Sequence, residues 1–166
     1  MQNPKSKIQN PKLALLLAID PGANGAYAIR FPDGTTTATR FTSESDFLEA
    51  MFTLASQAAQ NSTPVTAYIE QVGGYVGKAQ PGSAMFNFGR NFGYILGICQ
   101  ALAFTVELIR PQTWQKAYPT RTTKTQNATQ HKRELKDHAT RLFPTLKPTL
   151  ATADALLILH HATKQQ

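Results

Sequence analysis

The sequence predicts an α/β domain built on one mixed sheet, begun by an antiparallel meander and covered by helices on its faces. Three observations carry this. Residues 13–19 (LALLLAI) are an apolar run of strand length with no polar break, the pattern of a strand buried on both faces. Two β-prone segments follow at once, joined by the turn signal PDG at residues 32–34. From residue 43 onward, helical apolar spacing alternates with short strand-like segments.

Taken in order, residues 25–31 (GAYAIRF) alternate in part and read as the second strand, and residues 35–41 (TTTATRF) supply a β-branched third. Residues 43–59 (SESDFLEAMFTLASQAA) open on Ser43, carry acids in the first turn and then space apolar residues helically, so an amphipathic helix is expected. VTAYIE, residues 65–70, is a fourth strand. The Gly-rich loop GGYVGKAQPG, residues 73–82, leads into SAMFNFGRNFGYILGICQAL, a helix whose small residues allow close approach of a neighbour. FTVELI, residues 104–109, is the fifth strand; RPQTWQKAY holds a short helix opened by Pro111, and PTRTTKTQNATQ is a polar, basic loop. Two last helices are expected over residues 130–142 and 150–163, separated by FPTLKP.

The chain has 166 residues, room for one domain with its own core, here placed over residues 13–166 behind a tail over residues 1–12. That tail, MQNPKSKIQNPK, is polar, lacks acids and repeats QNPK, so it is expected to fray rather than to act as a signal peptide. Seventeen Lys and Arg against ten Asp and Glu give a formal charge of +7 and a pI near 9.7. Such a balance favours polyanionic partners, nucleic acid first, although an anionic membrane surface or plain solubility is also compatible. The single Cys99 excludes an intramolecular disulfide and a cysteine metal cluster, and fits a reducing, cytoplasmic setting, with an organelle left open. No apolar run is long enough to span a bilayer, so no membrane role is expected.

The ten acids are unevenly informative. Asp33 lies in a turn, Glu44, Asp46 and Glu49 decorate the front of a helix, and Glu134 and Asp137 sit among basic residues, all ordinary solvated positions. Three others stand where charge is normally excluded: Asp20 closes the first strand, Glu70 closes the fourth, and Asp154 lies in the apolar segment ATADALLILHHA. A buried carboxylate is costly unless it is paired, hydrogen-bonded or bound to a metal. Each has a bland reading: Asp20 as a turn-capping residue ahead of Pro21 and Gly22, Glu70 as a strand-end charge in water, Asp154 as the N-cap of a later helix. If the first and fourth strands are neighbours, however, the three acids meet, and a hard divalent cation with oxygen ligands is the simplest neutraliser. A Mg²⁺ pair about 3.5–4 Å apart can activate water and steady the leaving oxygen in phosphodiester hydrolysis. Gly22 and Gly25 let the backbone turn there and let a phosphate or metal come close.

AIDPGANGAYA, YIEQV, PGSAMFNFGRNFGYILGICQAL, ELIRPQTWQKA, KDHATRLFP and ATADALLILHHA, in that order from residue 13 to residue 163, resemble the RuvC-type Holliday junction resolvases, in particular the compact RuvC-like endonucleases of phages and bacteria. The resemblance implies an RNase H-like fold, a mixed five-stranded sheet with helices on both faces. It also implies a homodimer, dependence on Mg²⁺ with Mn²⁺ as substitute, and hydrolytic cleavage of branched DNA. By motif, Asp20, Glu70 and Asp154 become the catalytic, metal-binding carboxylates. One departure stands out: a second acid or a His is usual about one turn ahead of the last aspartate, where this chain has Leu150 and Ala151. A second metal then lacks a ligand unless Asp137, His160, His161 or water substitutes; His161 lies two turns beyond Asp154, roughly 10 Å along a helix. His160 and His161 are read instead as packing or DNA-facing residues.

For nucleic acid, Tyr75 and Lys78 follow Glu70 in the Gly-rich loop, where an aromatic can stack on an unpaired base or simply anchor the loop. Arg90 lies in the MFNFGRNFG helix start. Lys116, Arg121, Lys124, Lys132, Arg133 and Lys136 form the densest basic region, suited to phosphates, with a solvated helix surface as the bland alternative. Phe86, Phe88, Phe92 and Tyr94 read as core or dimer-interface residues, and Trp114 as core with an indole that needs one partner. The functional expectation is a metal-dependent, structure-selective DNA endonuclease. Alternatives are a catalytically weakened junction-binding protein and a nuclease acting on flaps or RNA–DNA hybrids. A sugar or acetate kinase relative, which also opens on an aspartate and a glycine turn, needs a second lobe for which 166 residues leave no room.

Overall fold

The computed structural model describes residues 14–22, 24–71 and 82–165. The expected tail over residues 1–12 and the Gly-rich loop with Tyr75 and Lys78 lie outside the described residues. Five strands form one sheet in the order β3-β2-β1-β4-β5: β1 (Leu15–Asp20), β2 (Ala26–Arg30), β3 (Thr36–Arg40), β4 (Val65–Glu70) and β5 (Thr105–Ile109). β1, β2 and β3 pair antiparallel, and the PDG turn, with Gly34 at φ +88°, joins β2 to β3. β4 joins β1 in parallel, with Ile19 opposite Ile69, and β5 joins β4 in parallel.

Side chains of a strand alternate between faces, and the two hydrophobic clusters divide accordingly. Leu15, Leu17 and Ile19 of β1 and Val65, Ala67 and Ile69 of β4 belong to the core under α1 (Glu44–Gln60) and α2 (Gly82–Ala101). Leu16 and Ala18 of β1 and Tyr68 of β4 face the opposite core, which holds α3 (Pro111–Gln115), α4 (Ala128–Leu142) and α5 (Ala153–Thr163). Helices thus cover both faces. By the same alternation Asp20 and Glu70, at the carboxyl ends of adjacent parallel strands, share the α5 face.

Local chemistry sets the helix limits. Ser43 accepts a hydrogen bond from the Asp46 amide at 3.1 Å to cap α1, which buries Phe47, Met51, Leu54 and Ala58 at helical spacing. Asn127 caps α4 by accepting from the Gln130 amide at 3.0 Å, so this helix starts two residues before the expected boundary. α5 starts later than expected because Thr149 and Thr152 exchange hydrogen bonds between hydroxyl and amide, 3.0 and 3.2 Å, in a turn that precedes it. Thr152 is therefore the cap, and Asp154 sits within the first turn, where a carboxylate is favoured by the helix dipole. Among the described residues no helix is long and apolar enough to cross a membrane.

Candidate active site

Asp20 ends β1 in a loop whose backbone folds back on it. Its Oδ1 accepts the Gly22 amide at 3.0 Å, so the turn-capping role and a place in a shared site coexist in one side chain. A Cβ on Gly25 would lie 2.0 Å from the Asp20 carbonyl oxygen and 2.7 Å from that of Gly22. Only glycine fits that close approach. Asn91 of α2 donates to the Pro21 carbonyl at 2.7 Å and ties the same loop to the other layer.

Glu70 follows Ile69, whose register partner is Ile19, and so stands beside Asp20 at the strand ends. Asp154 is 5 % exposed, brought onto this face by α5, which packs across β1 and β2 with residues 153–159 buried. The electrostatics follow from this placement. Burial, then the Asp154 charge, raise the Asp20 pKa above its ordinary value, with Lys132 and Lys124 pulling the other way. Glu70 is pushed up to about 8, by burial first and then by Asp20 and Asp154, again against Lys132 and Lys124. The structure therefore sets Asp20 and Glu70 at neighbouring strand ends, on the face that α5 covers with Asp154.

One positive charge is built in. Lys132 of α4 places its Nζ against Oδ2 of Asp154. Burial works against that ammonium, but Asp154, Asp20 and Glu70 outweigh it and raise its pKa above the usual lysine value. Oδ1 of Asp154 is buried without a hydrogen-bond partner among the described residues. Hard oxygen donors, mutual repulsion and one orphaned oxygen fit a divalent cation. As they stand, no three His, Cys, Asp or Glu side chains among the described residues are gathered closely enough to hold one.

Lys132 thus departs from the surface role expected of it: it shares a helical face with the buried Leu135 and Ala139, three and seven residues on, and points inward. Lys116, Arg121, Lys124 and Arg133 are exposed, and Lys124 is near enough to act on both Asp20 and Glu70. Arg90 is exposed and paired with Glu44 at 2.5 Å across the start of α2. His160 shares a hydrogen bond at Nδ1 with the Tyr118 hydroxyl, 2.7 Å, and meets Phe143 edge-on, so it is engaged in packing; Asp137 is exposed. Trp114 is fully buried as expected, yet its Nε1 has no partner among the described residues. Phe86 is 70 % exposed, which removes it from the core.

Glu134 was not legible as special. Its carboxylate accepts the Arg121 and Thr122 amides at 2.7 and 3.1 Å, the Thr122 hydroxyl at 3.2 Å and the Gln130 amide side chain at 3.2 Å. These bonds, the Thr122 amide first, hold its pKa below the usual carboxylate range. The effect is to pin the basic loop with Arg121 and Lys124 to α4. The only sequence signal was the four-residue spacing from Gln130, which says nothing of the loop.

No protein-family model and no curated protein matches this sequence. Solved structures do. Thermus thermophilus RuvC in complex with a Holliday junction substrate superposes with a TM-score of 0.55 at 11 % identity, over 92 % of this chain and 96 % of that one. A second Thermus thermophilus RuvC structure gives a TM-score of 0.51 at 12 % identity, over 91 % and 96 %. The chain has a RuvC-like fold. In that RuvC-like frame the strand order and the parallel β1–β4 pair set Asp20 and Glu70 at neighbouring strand ends.

Proposed function

We propose that the protein is a metal-dependent, structure-selective endonuclease that hydrolyses phosphodiester bonds in branched DNA such as four-way junctions. What supports this reading is the place of Asp20 and Glu70 at adjacent strand ends on the face covered by α5, which carries the buried Asp154, with exposed lysines and arginines on the loop and helix before it. Asp20, Glu70 and Asp154 would hold Mg²⁺ or Mn²⁺, which when bound supplies a Lewis acid for water activation and for the leaving oxygen. The chain's own contribution is positional. The β1–β4 pair and α5 set the acids, Glu134 steadies the loop that presents Arg121 and Lys124, and Lys116 and Arg133 add phosphate contacts that orient a duplex without reading sequence.

A homodimer belongs to the same reading. On α2, Gly82, Phe86, Gly89, Gly93 and Gly97 share one helical face, all exposed, and a Cβ built on any of the four glycines meets nothing within 4 Å. Leu108 of β5, beside α2, is 47 % exposed. A small-residue stripe with a projecting Phe is self-complementary and suits a two-fold contact with a second copy. Two copies would present two cleavage sites to one junction.

The test is a substrate panel of four-way junction, flap and RNA–DNA duplex with Mg²⁺ or Mn²⁺, and Asp20→Asn as control. Metal-dependent nicking of the junction above the other substrates, lost in the variant, supports the proposal. Junction binding without cleavage would favour a binding protein instead, a reading that the Lys132–Asp154 pair and the absence of an acid at Leu150 or Ala151 motivate.

A further inference from the structure

The loop before α4 carries Arg121 and Lys124 in solvent, yet its backbone is held on both sides of each. Three side chains of α4, spaced three and four residues apart and so on one face, each grip a piece of it. His138 donates from Nε2 to the Pro119 carbonyl at 2.8 Å, and His131 from Nδ1 to the Thr122 carbonyl at 2.8 Å, since a carbonyl only accepts. Between them Glu134 accepts the Arg121 amide at 2.7 Å and the Thr122 amide at 3.1 Å. Beyond Thr122 a turn closes around Lys124: the Thr123 carbonyl accepts the Gln126 and Asn127 amides at 3.1 and 3.0 Å, and Gln126 Oε1 accepts the Thr123 amide at 3.2 Å. Side chains that project from a backbone already fixed forfeit little freedom when they bind.

The acid at the centre of this clamp raises a conflict of sign. Arg121 and Lys124 suit phosphates, and a carboxylate beside them repels a polyanion. Charge counting therefore predicts that removing Glu134 tightens DNA binding. The hydrogen bonds predict the reverse.

We propose that Glu134 is a positioning residue for DNA: although it bears the same charge as the ligand, it strengthens binding by holding the 119–127 loop in the form that presents Arg121 and Lys124 to phosphates. The proposal rests on the reading of the chain as a protein that engages branched DNA, and it involves neither metal nor cleavage. Binding of the full chain to a labelled four-way junction is measured by fluorescence anisotropy with EDTA at fixed salt, and hydrogen exchange of the Arg121 and Thr122 amides is followed without DNA. In the wild type these amides should exchange roughly a hundredfold more slowly than in an open loop. Glu134→Ala should lose that protection and bind the junction about tenfold more weakly. Asp137→Asn removes the same charge from an exposed position three residues on in α4, and should bind as well as the wild type or better. In the Arg121→Ala/Lys124→Ala background, Glu134→Ala should add no further loss, because it acts through those two side chains.

Unprotected amides in the wild type, junction binding by Glu134→Ala that is unchanged or tighter, or a full further loss in the double-variant background would each overturn the positioning role and leave the junction reading intact. A wild-type chain that binds no junction would remove both. Should Glu134→Ala fail to fold, Glu134→Gln takes its place. It keeps one accepting oxygen but turns a donor toward Gln130 or the loop amides, so binding should weaken by about threefold, and tighter binding would again overturn the proposal.

Discussion

α5 and α2 are both apolar helices laid against the sheet, and they use that character in opposite ways. α5 buries eight residues, Ala153, Asp154, Ala155, Leu156, Leu157, Ile158, Leu159 and Ala162, so almost every side of it meets protein. α2 is twenty residues long and fully buries only Ile95, Ile98 and Cys99. The first places a carboxylate in a pocket from which water is largely excluded, where charge interactions are strong. The second leaves a glycine-lined face and Phe86 in solvent. Apolar composition alone does not distinguish a helix buried on nearly every side from one with an open face; the position of the small residues does.

The largest expected contrast is in catalysis. Asp154→Asn, an isosteric change at the start of α5, should lower the single-turnover rate of junction nicking by roughly 10³-fold, the effect of losing several kcal/mol of transition-state stabilisation. Junction affinity should stay within about threefold, since phosphate contacts dominate it. Full cleavage by the variant would detach α5 from the chemistry. Next comes stability: Leu157→Ala should cost about 2–5 kcal/mol in urea unfolding through cavity formation. Phe86→Ala, measured under dilute conditions, should stay within about 0.5 kcal/mol. Equal losses would mean that the exposed face of α2 is part of the folded core after all.

The buried end of α5 also makes a pH prediction for the metal-free chain. Glu70 has an ordinary pKa of 4.5 and is pushed up to about 8 in the fold, so between those values the folded state holds a proton that the unfolded state has released. Stability linked to that proton is full below the ordinary value and is lost as pH rises through the folded value. With EDTA present, Tm should fall from pH 5 to pH 8.5, and Glu70→Gln should flatten the decline. A Tm that climbs over this range in the wild type would contradict the crowding of the three carboxylates. No comparable slope is expected from α2, which carries no acid.

Much of this was legible because it is local. The run at residues 13–19, the PDG turn, the Ser43 cap and Pro111 each act within a few residues, and the corresponding elements form where expected. Asp20, Glu70 and Asp154 stood out because their sequence surroundings are apolar, although bringing Asp20 beside Glu70 required the parallel β1–β4 pair, which the sequence left as a condition and the register shows. The partners of Lys132 and Glu134 were hidden. Lys132 pairs with a residue 22 positions away, and Glu134 binds amides 12 and 13 positions back. No periodicity encodes such contacts. Trp114 shows the converse limit: its burial followed from its size, but among the described residues its indole lacks the partner that burial ordinarily demands.

The smallest effect probes the exposed face of α2 itself. Glycine in a helix interior costs about 0.5–1 kcal/mol relative to alanine, and the stripe repeats that cost at Gly89, Gly93 and Gly97. At Gly93 an added Cβ meets nothing of its own chain within 4 Å, so Gly93→Ala should stabilise the monomer by about that amount in urea unfolding at low concentration. If a second copy closes on the stripe, the same methyl group holds the two helices apart and weakens self-association in sedimentation equilibrium. The two measurements therefore move in opposite directions. A variant that is more stable and associates as well as the wild type would show that the glycines leave room for something other than a second copy of this chain.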